Sequence, residues 1–233
     1  MRQIVLDTET TGLEVGKGHR IIEIGAIELS ERRPTGRKFH RYINPQRAID
    51  NGALAVHGIN NDFLADKPTF ADVARELLDF ITGAELIIHN AAFDVEFLNQ
   101  ELSLAGLKKL SDYCPSVVDT LAMARELHPG KKNSLDALCE RYMVNNSHRT
   151  LHGALLDARL LAEVYLALTR GQDSLVMELE APGAAKVAAA RVDTSKLKVL
   201  RASAAEAAAH EKLLDGIDKA AKEGSLWRRL TRA

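Results

Sequence analysis

RQIVLDTETTG, residues 2–12, decides the fold. Its apolar run Ile4-Val5-Leu6 leads into two acids and closes on Thr11-Gly12, so RQIVLDTE reads as a β-strand ending at a turn. Alternate residues of a strand share a face, so Asp7 and Glu9 project together. Two unpaired acids at the end of an apolar strand repel one another and lose hydration. A bound cation relieves both costs, and an all-oxygen ligand set suits Mg²⁺ or Mn²⁺. Taken alone, the pair reads equally well as a solvated strand end before a glycine turn.

Outward from this strand, HRIIEIGAIEL (19–29) reads as a second, mostly buried strand, and KFHRYIN (38–44) as a third. The intervening SERRPTGR is short and holds Pro34 and Gly36, which makes strands two and three antiparallel neighbours. FADVARELLDFI (70–81) sets Phe70, Val73, Leu77, Leu78 and Ile81 at helical spacing. AELIIHN (84–90) is a short strand, AAFDVEFLNQELSLAG (91–106) a helix, and SLDALCERY (134–142) and LHGALLDARLLAEVYLALT (151–169) two more. Strands first, helices later and a βα crossover predict an α/β domain with a mixed sheet flanked by helices.

The chain has 233 residues and a net charge of −1, with 46% apolar residues, which excludes a disordered low-complexity chain. Ten of the eleven aromatic residues precede residue 170; after it only Trp227 remains, among 15 alanines. The expectation is one globular domain at 1–170 and a flexible Ala-rich tail at 171–233, loosening around Ala181-Pro182-Gly183. No apolar run approaches the ~20 residues of a membrane span, and acids stand where a secretory segment would be apolar. Cys114 and Cys139 are too far apart for a thiol zinc motif. Reduced thiols and a cytoplasmic location are expected. The 1–170 segment carries 20 Lys and Arg against 23 Asp and Glu, so long-range electrostatics alone cannot grip nucleic acid.

Two further signals carry acids. In HNAAFD (89–94), Asn90 is placed to cap the following helix and Asp94 falls in its first turn, where an acid suits the helix dipole. In TLHGALLDA (150–158), His152 stands five residues before Asp157, a mid-helix acid opposite Leu155, Leu156, Leu160 and Leu161. Each has a bland reading alone: a helix-start acid, a surface histidine, a solvated acid. The three signals in this order change the odds. His19, His40, His128, His148 and His210 have no acid at suggestive spacing and read as surface or loop residues.

Together RQIVLDTETTGL, IIEIGAIEL, VHGI, IIHNAAFD, KKNSLDALCERY and RTLHGALLDARLLAEVYLAL resemble the DEDDh family of 3′→5′ exonucleases, over essentially all of 1–170. The HxxxxD ending selects the His subtype, and the closest likeness is to the epsilon, proofreading branch that serves bacterial DNA polymerase III. The resemblance implies a ribonuclease H-like fold and hydrolysis supported by two divalent cations, Mg²⁺ or Mn²⁺. Asp7, Glu9 and Asp157 match its metal ligands, Asp94 its third acid, acting through water, and His152 its general base. Asp7, Glu9, Asp157 and His57 of VHGI are implied in contact with the substrate, a single-stranded or frayed DNA 3′ end. Gly52 departs from the acid expected there, which puts one polar contact to the terminal sugar in doubt.

In the tail, QDSLVM (172–177) is similar to the branch's sliding-clamp motif, and 200–233, with Trp227 in SLWRRL, to its segment for the polymerase alpha subunit. Whether a small accessory subunit binds the domain is left open. A frayed end is already unstacked, so a weakly binding domain gains mismatch preference without reading sequence. Two other readings are a free-standing DNA or RNA trimming exonuclease, which the tail opposes, and a non-catalytic polymerase adaptor, which the complete acid set opposes.

Overall fold

The computed structural model describes residues 2–170, 202–220 and 227. They fall into two units, residues 1–179 and 180–233. The first holds a five-stranded mixed sheet in the order β3-β2-β1-β4-β5. Its strands are β1 (Arg2–Thr10), β2 (Ile21–Ser30), β3 (Arg33–Tyr42), β4 (Glu85–Ile88) and β5 (Ser116–Asp119). The first three pair antiparallel, while β4 runs parallel to both β1 and β5. The helices are α1 (Asn51–His57), α2 (Asn61–Leu64), α3 (Phe70–Ile81), α4 (Ala91–Leu104), α5 (Thr120–Leu127), α6 (Leu135–Tyr142) and α7 (Ala154–Leu168).

The period of two sorts the core into layers. Ile4 and Leu6 of β1, with Leu86 and Ile88 of β4, pack with α3 and α4 on one face of the sheet. Val5 and Ile87 pack with α5, α6 and α7 on the other. Continuing the alternation puts Asp7 and Glu9 on the α7 side and Thr8 on the α4 side. Gly25, paired with Asp7, lets α7 come down onto β2. A Cβ at Gly25 would lie 2.1 Å from the Leu155 nitrogen, so no larger residue fits without moving the helix start.

The hairpin between β2 and β3 is tighter than SERRPTGR suggests. Only Glu31 and Arg32 turn the chain, both at positive φ (47° and 61°), the hand that matches a twisted two-strand ribbon. Pro34 then lies inside β3, tolerated because β3 is an edge strand. Four short elements carried no clear pattern in the sequence: α1, α2, β5 and α5. Asp157 is not mid-helix but in the first turn of α7, its N–H donating to the Gly153 carbonyl at 2.8 Å. Asn90 does not cap α4 with its side chain; it sits in the left-handed region at φ 66°, and its N–H donates to Asp119 Oδ1 at 3.1 Å.

In the second unit, α8 (Ala204–Ala220) is the described helix. The Trp227 ring meets the His210 ring edge-on at 5.9 Å and is 61% exposed. QDSLVM (172–177) and the Pro182 region lie outside the described residues. Both cysteines are free and buried. No described helix is long and apolar enough to cross a membrane.

Candidate active site

The carboxyl end of β1 faces a cleft of about 740 Å³ whose lining includes Asp7, Glu9, Asp94, His152 and Asp157. Elements far apart in sequence thus bring all five expected catalytic residues to one place. A register shift between Glu9 and Thr10 ends the regular ladder of β1 there. Asp94 arrives from the first turn of α4, almost wholly buried, and accepts the Thr8 hydroxyl at 2.7 Å. Thr8 holds this acid from the opposite face of the strand that carries Asp7 and Glu9. Sequence reasoning passed over it, since its partner lies 86 residues away.

The first turn of α7 supplies Asp157, and the residue just before its cap supplies His152. Glu23, cross-strand from Glu9, accepts the Ala154 N–H at 3.2 Å and pairs with His40 Nε2 at 2.7 Å. It pins the start of α7 over the sheet. His40 is therefore no isolated surface residue. Nor is His19, which is buried with Nδ1 3.0 Å from the Thr11 hydroxyl and Nε2 3.4 Å from Asp50.

Arg149 comes from the polar loop before α7 and was not anticipated. Its Nε and Nη2 donate to the two oxygens of Asp157 at 2.6 and 2.7 Å. Nη2 also lies 3.1 Å from His152 Nδ1, and Nη1 donates to both Asp136 oxygens at 2.9 Å. The sequence offers no periodicity that would mark SHRT as part of a site.

Crowding shows in the acids' protonation. Burial, then Asp94, Asp157 and Glu9, push the Asp7 carboxyl well above its ordinary range. Burial, then Asp157 and Glu23, push Glu9 to about 8. For Asp94, burial outweighs the Thr8 hydrogen bond and lifts it to about 7. Burial and the nearby Arg149 charge hold His152 below the ordinary imidazole value, hence neutral near pH 7. Ligand atoms of Glu9, His152 and Asp157 lie within 4.8 Å of one another. Asp7 stands outside that trio, yet close enough to be perturbed by two of its members. Hard oxygen donors short of positive charge fit one or more divalent cations.

An adjoining pocket of about 450 Å³ shares Thr8, Glu9 and Phe93 with the cleft and adds Leu13, Gly52, Val56 and His57. His57 is buried, and its Nδ1 accepts the Ile59 N–H at 3.0 Å. It shapes the wall, whereas Val56 and Leu13, given no role of their own in the sequence motifs that contain them, are exposed at 44% and 80% and offer apolar surface. A Cβ at Gly52 would meet nothing within 4 Å. Arg125, Lys131 and His89 also line the cleft.

Residues 4–165 match the family model described as exonuclease. The chain belongs to the exonuclease family. This family member is 54% identical to the DNA polymerase III subunit epsilon of Escherichia coli strain K12, over 97% of each chain. It is 47% identical to the subunit of the same name from Haemophilus influenzae, over 97% of this chain and 94% of that one. Among solved structures it is similar to exonuclease X in complex with 5′-overhanging duplex DNA. The TM-score is 0.58 at 26% identity, over 73% of this chain and 93% of that one. The exonuclease chain is therefore a nuclease, built on the ribonuclease H-like fold expected of it.

Proposed function

We propose that the chain is a proofreading 3′→5′ exodeoxyribonuclease that releases deoxynucleoside monophosphates from mismatched 3′ ends. One observation carries the reading: Asp7, Glu9, Asp94 and Asp157 converge beside a neutral histidine on one open cleft. Relatives of about half identity, named as epsilon subunits over nearly their whole length, support it.

Asp7, Glu9 and Asp157 would hold two divalent cations, Mg²⁺ or Mn²⁺. Bound there, such cations stabilise charge on the attacking and leaving oxygens of a phosphodiester. Thr8 orients Asp94 through its 2.7 Å hydrogen bond. His152, 45% exposed at its side chain, takes the proton of the attacking water. Leu13, Val56 and the His57 wall receive the terminal nucleoside, and the open space at Gly52 leaves its sugar one polar partner short. Arg125 and Lys131 lie where backbone phosphates of the single strand would pass.

Residues 200–233 serve as the tether to the polymerase alpha subunit, and the exposed Trp227 fits an interface anchor. QDSLVM (172–177) would meet a sliding clamp. The test digests 5′-labelled DNA and RNA strands with matched or mismatched 3′ ends, using the full chain with and without Mg²⁺. Shortening by single nucleotides, faster at mismatched DNA ends and absent without the cation, is expected. Cleavage from the 5′ end, or equal rates with the cation removed, would overturn the reading.

A further inference from the structure

Arg149 is the cation already present in the acid cluster. It and Asp157 are each more than nine-tenths buried at the side chain, while its second partner Asp136 is 56% exposed. The fork on Asp157 is bidentate, so both carboxylate oxygens are engaged in charge-assisted bonds. A guanidinium can only donate. Its 3.1 Å approach to His152 Nδ1 therefore uses that nitrogen's lone pair and leaves the ring proton on Nε2. A single side chain thus occupies a ligand carboxylate and the lone pair a general base needs.

We propose that Arg149 is a resident counter-cation of the unloaded site, which caps Asp157 and His152 together and shifts onto Asp136 when a divalent cation takes Asp157. This inference rests on the metal-dependent reading above. Two features of the structure favour a shift over a fixed clamp. Asp136 already accepts Nη1 through both oxygens at 2.9 Å, so the arginine has a second carboxylate within reach and need not go to water unpaired. Asp136, in the first turn of α6, is also the solvent-facing partner, 56% exposed at its side chain where Asp157 is 5%. With the guanidinium drawn toward it, Asp157 regains its oxygens and His152 regains a free nitrogen. Loading the site and arming the base become one event.

The experiment measures Mn²⁺ binding to the full chain by calorimetry, with melting of the metal-free and Mn²⁺-loaded protein. Arg149→Met removes the competitor: Mn²⁺ should bind at least about tenfold more tightly, and the metal-free melting temperature should fall. Asp136→Asn removes the second station: Mn²⁺ affinity should drop severalfold with Arg149 present and stay unchanged in the Arg149→Met background. Arg149→Lys keeps the charge without the fork and should tighten binding by an intermediate factor, which keeps the test alive should the Met variant not fold without metal. Weaker Mn²⁺ binding in the Met or Lys variant would overturn the proposal and make Arg149 a fixed orienter of Asp157. An equal loss from Asp136→Asn in both backgrounds would overturn it too. Failure of the unaltered chain to bind Mn²⁺ at all would instead defeat the metal-dependent reading.

Discussion

Two arginine–carboxylate forks with nearly the same geometry, each on a buried carboxylate, sit in the exonuclease domain. Arg20 donates Nε and Nη2 to the two oxygens of Glu101, each at 2.7 Å, as Arg149 does to Asp157. Around Glu101 the accounting closes: its Oε1 also accepts the Ile21 N–H at 3.1 Å, tying α4 to the start of β2. Around Asp157 it does not close, because Asp7, Glu9 and Asp94 crowd the same cleft and Arg149, already forked on Asp157, is the cation that offsets Asp7 and Glu9. A fork that balances charge is a staple. A fork surrounded by surplus carboxylates marks a place where more positive charge is meant to arrive.

Breaking the crowded side should have the largest effect. Asp7→Ala should cut nucleotide release by about 10³-fold or more, roughly 4 kcal/mol of barrier. Its metal-free melting temperature should hold or rise, since a repelled, desolvated acid has been removed. Near-normal hydrolysis by this variant would remove Asp7 from the site. His152→Gln should follow, losing roughly 10²-fold or more. The unaltered enzyme should gain activity with rising pH through a value below the ordinary imidazole range, then level off, because the base works unprotonated. That rising limb should be missing from the Gln variant's pH–rate profile.

The balanced fork should answer in stability instead. Glu101→Gln leaves Arg20 with a neutral partner, and breaking one half of a buried pair costs about 3 kcal/mol. For a domain of this size that is roughly 6–12 °C in thermal midpoint. Activity below the midpoint should stay within a few-fold of normal. Loss of activity as deep as that of Asp7→Ala, in a protein still folded, would erase the distinction between the two forks.

The same contrast explains what could be read in the sequence. β1, β2, β3, α3, β4, α4, α6 and α7 announce themselves by their apolar patterns, whereas Asp7, Glu9, Asp94, His152 and Asp157 became legible only as an ordered set resembling a known family. β5 offers only Val117 and Val118 as apolar residues, neither fully buried, where the equally short β4 has an unbroken Leu86-Ile87-Ile88; α2, with four residues, is too short for a helical period. Yet Asp119 at the end of β5 holds the turn before α4 through the Asn90 N–H. The Glu31-Arg32 turn was hidden because neither residue favours positive φ on its own; the twist of the ribbon imposes it. Arg149, Thr8 and Glu23 were illegible for a further reason. Their partners lie 8, 86 and 131 residues away, and a side chain that acts by touching another element leaves no local signature.

The mildest perturbation is pH alone, applied to the metal-free protein. At pH 5 the folded chain keeps protons on Glu9 and Asp94 and gives them up only as pH passes about 8 and about 7. The unfolded chain, with carboxyls near ~4, has already released them. The folded state therefore binds more protons, and stability falls as pH rises through this window. What the raised acids contribute is complete below ~pH 4 and lost as pH climbs past their folded values. One unit of net shift is about 1.4 kcal/mol, so a fall of roughly 3–6 °C between pH 5 and 8 is the least to expect. Adding Mg²⁺ or Mn²⁺ should raise the midpoint most at pH 8, because the cation supplies the charge that lets these acids ionise in place. A midpoint that rises with pH in the metal-free protein, or a cation effect equal at pH 5 and pH 8, would mean the cluster is not starved of positive charge. The two forks would then differ in position only.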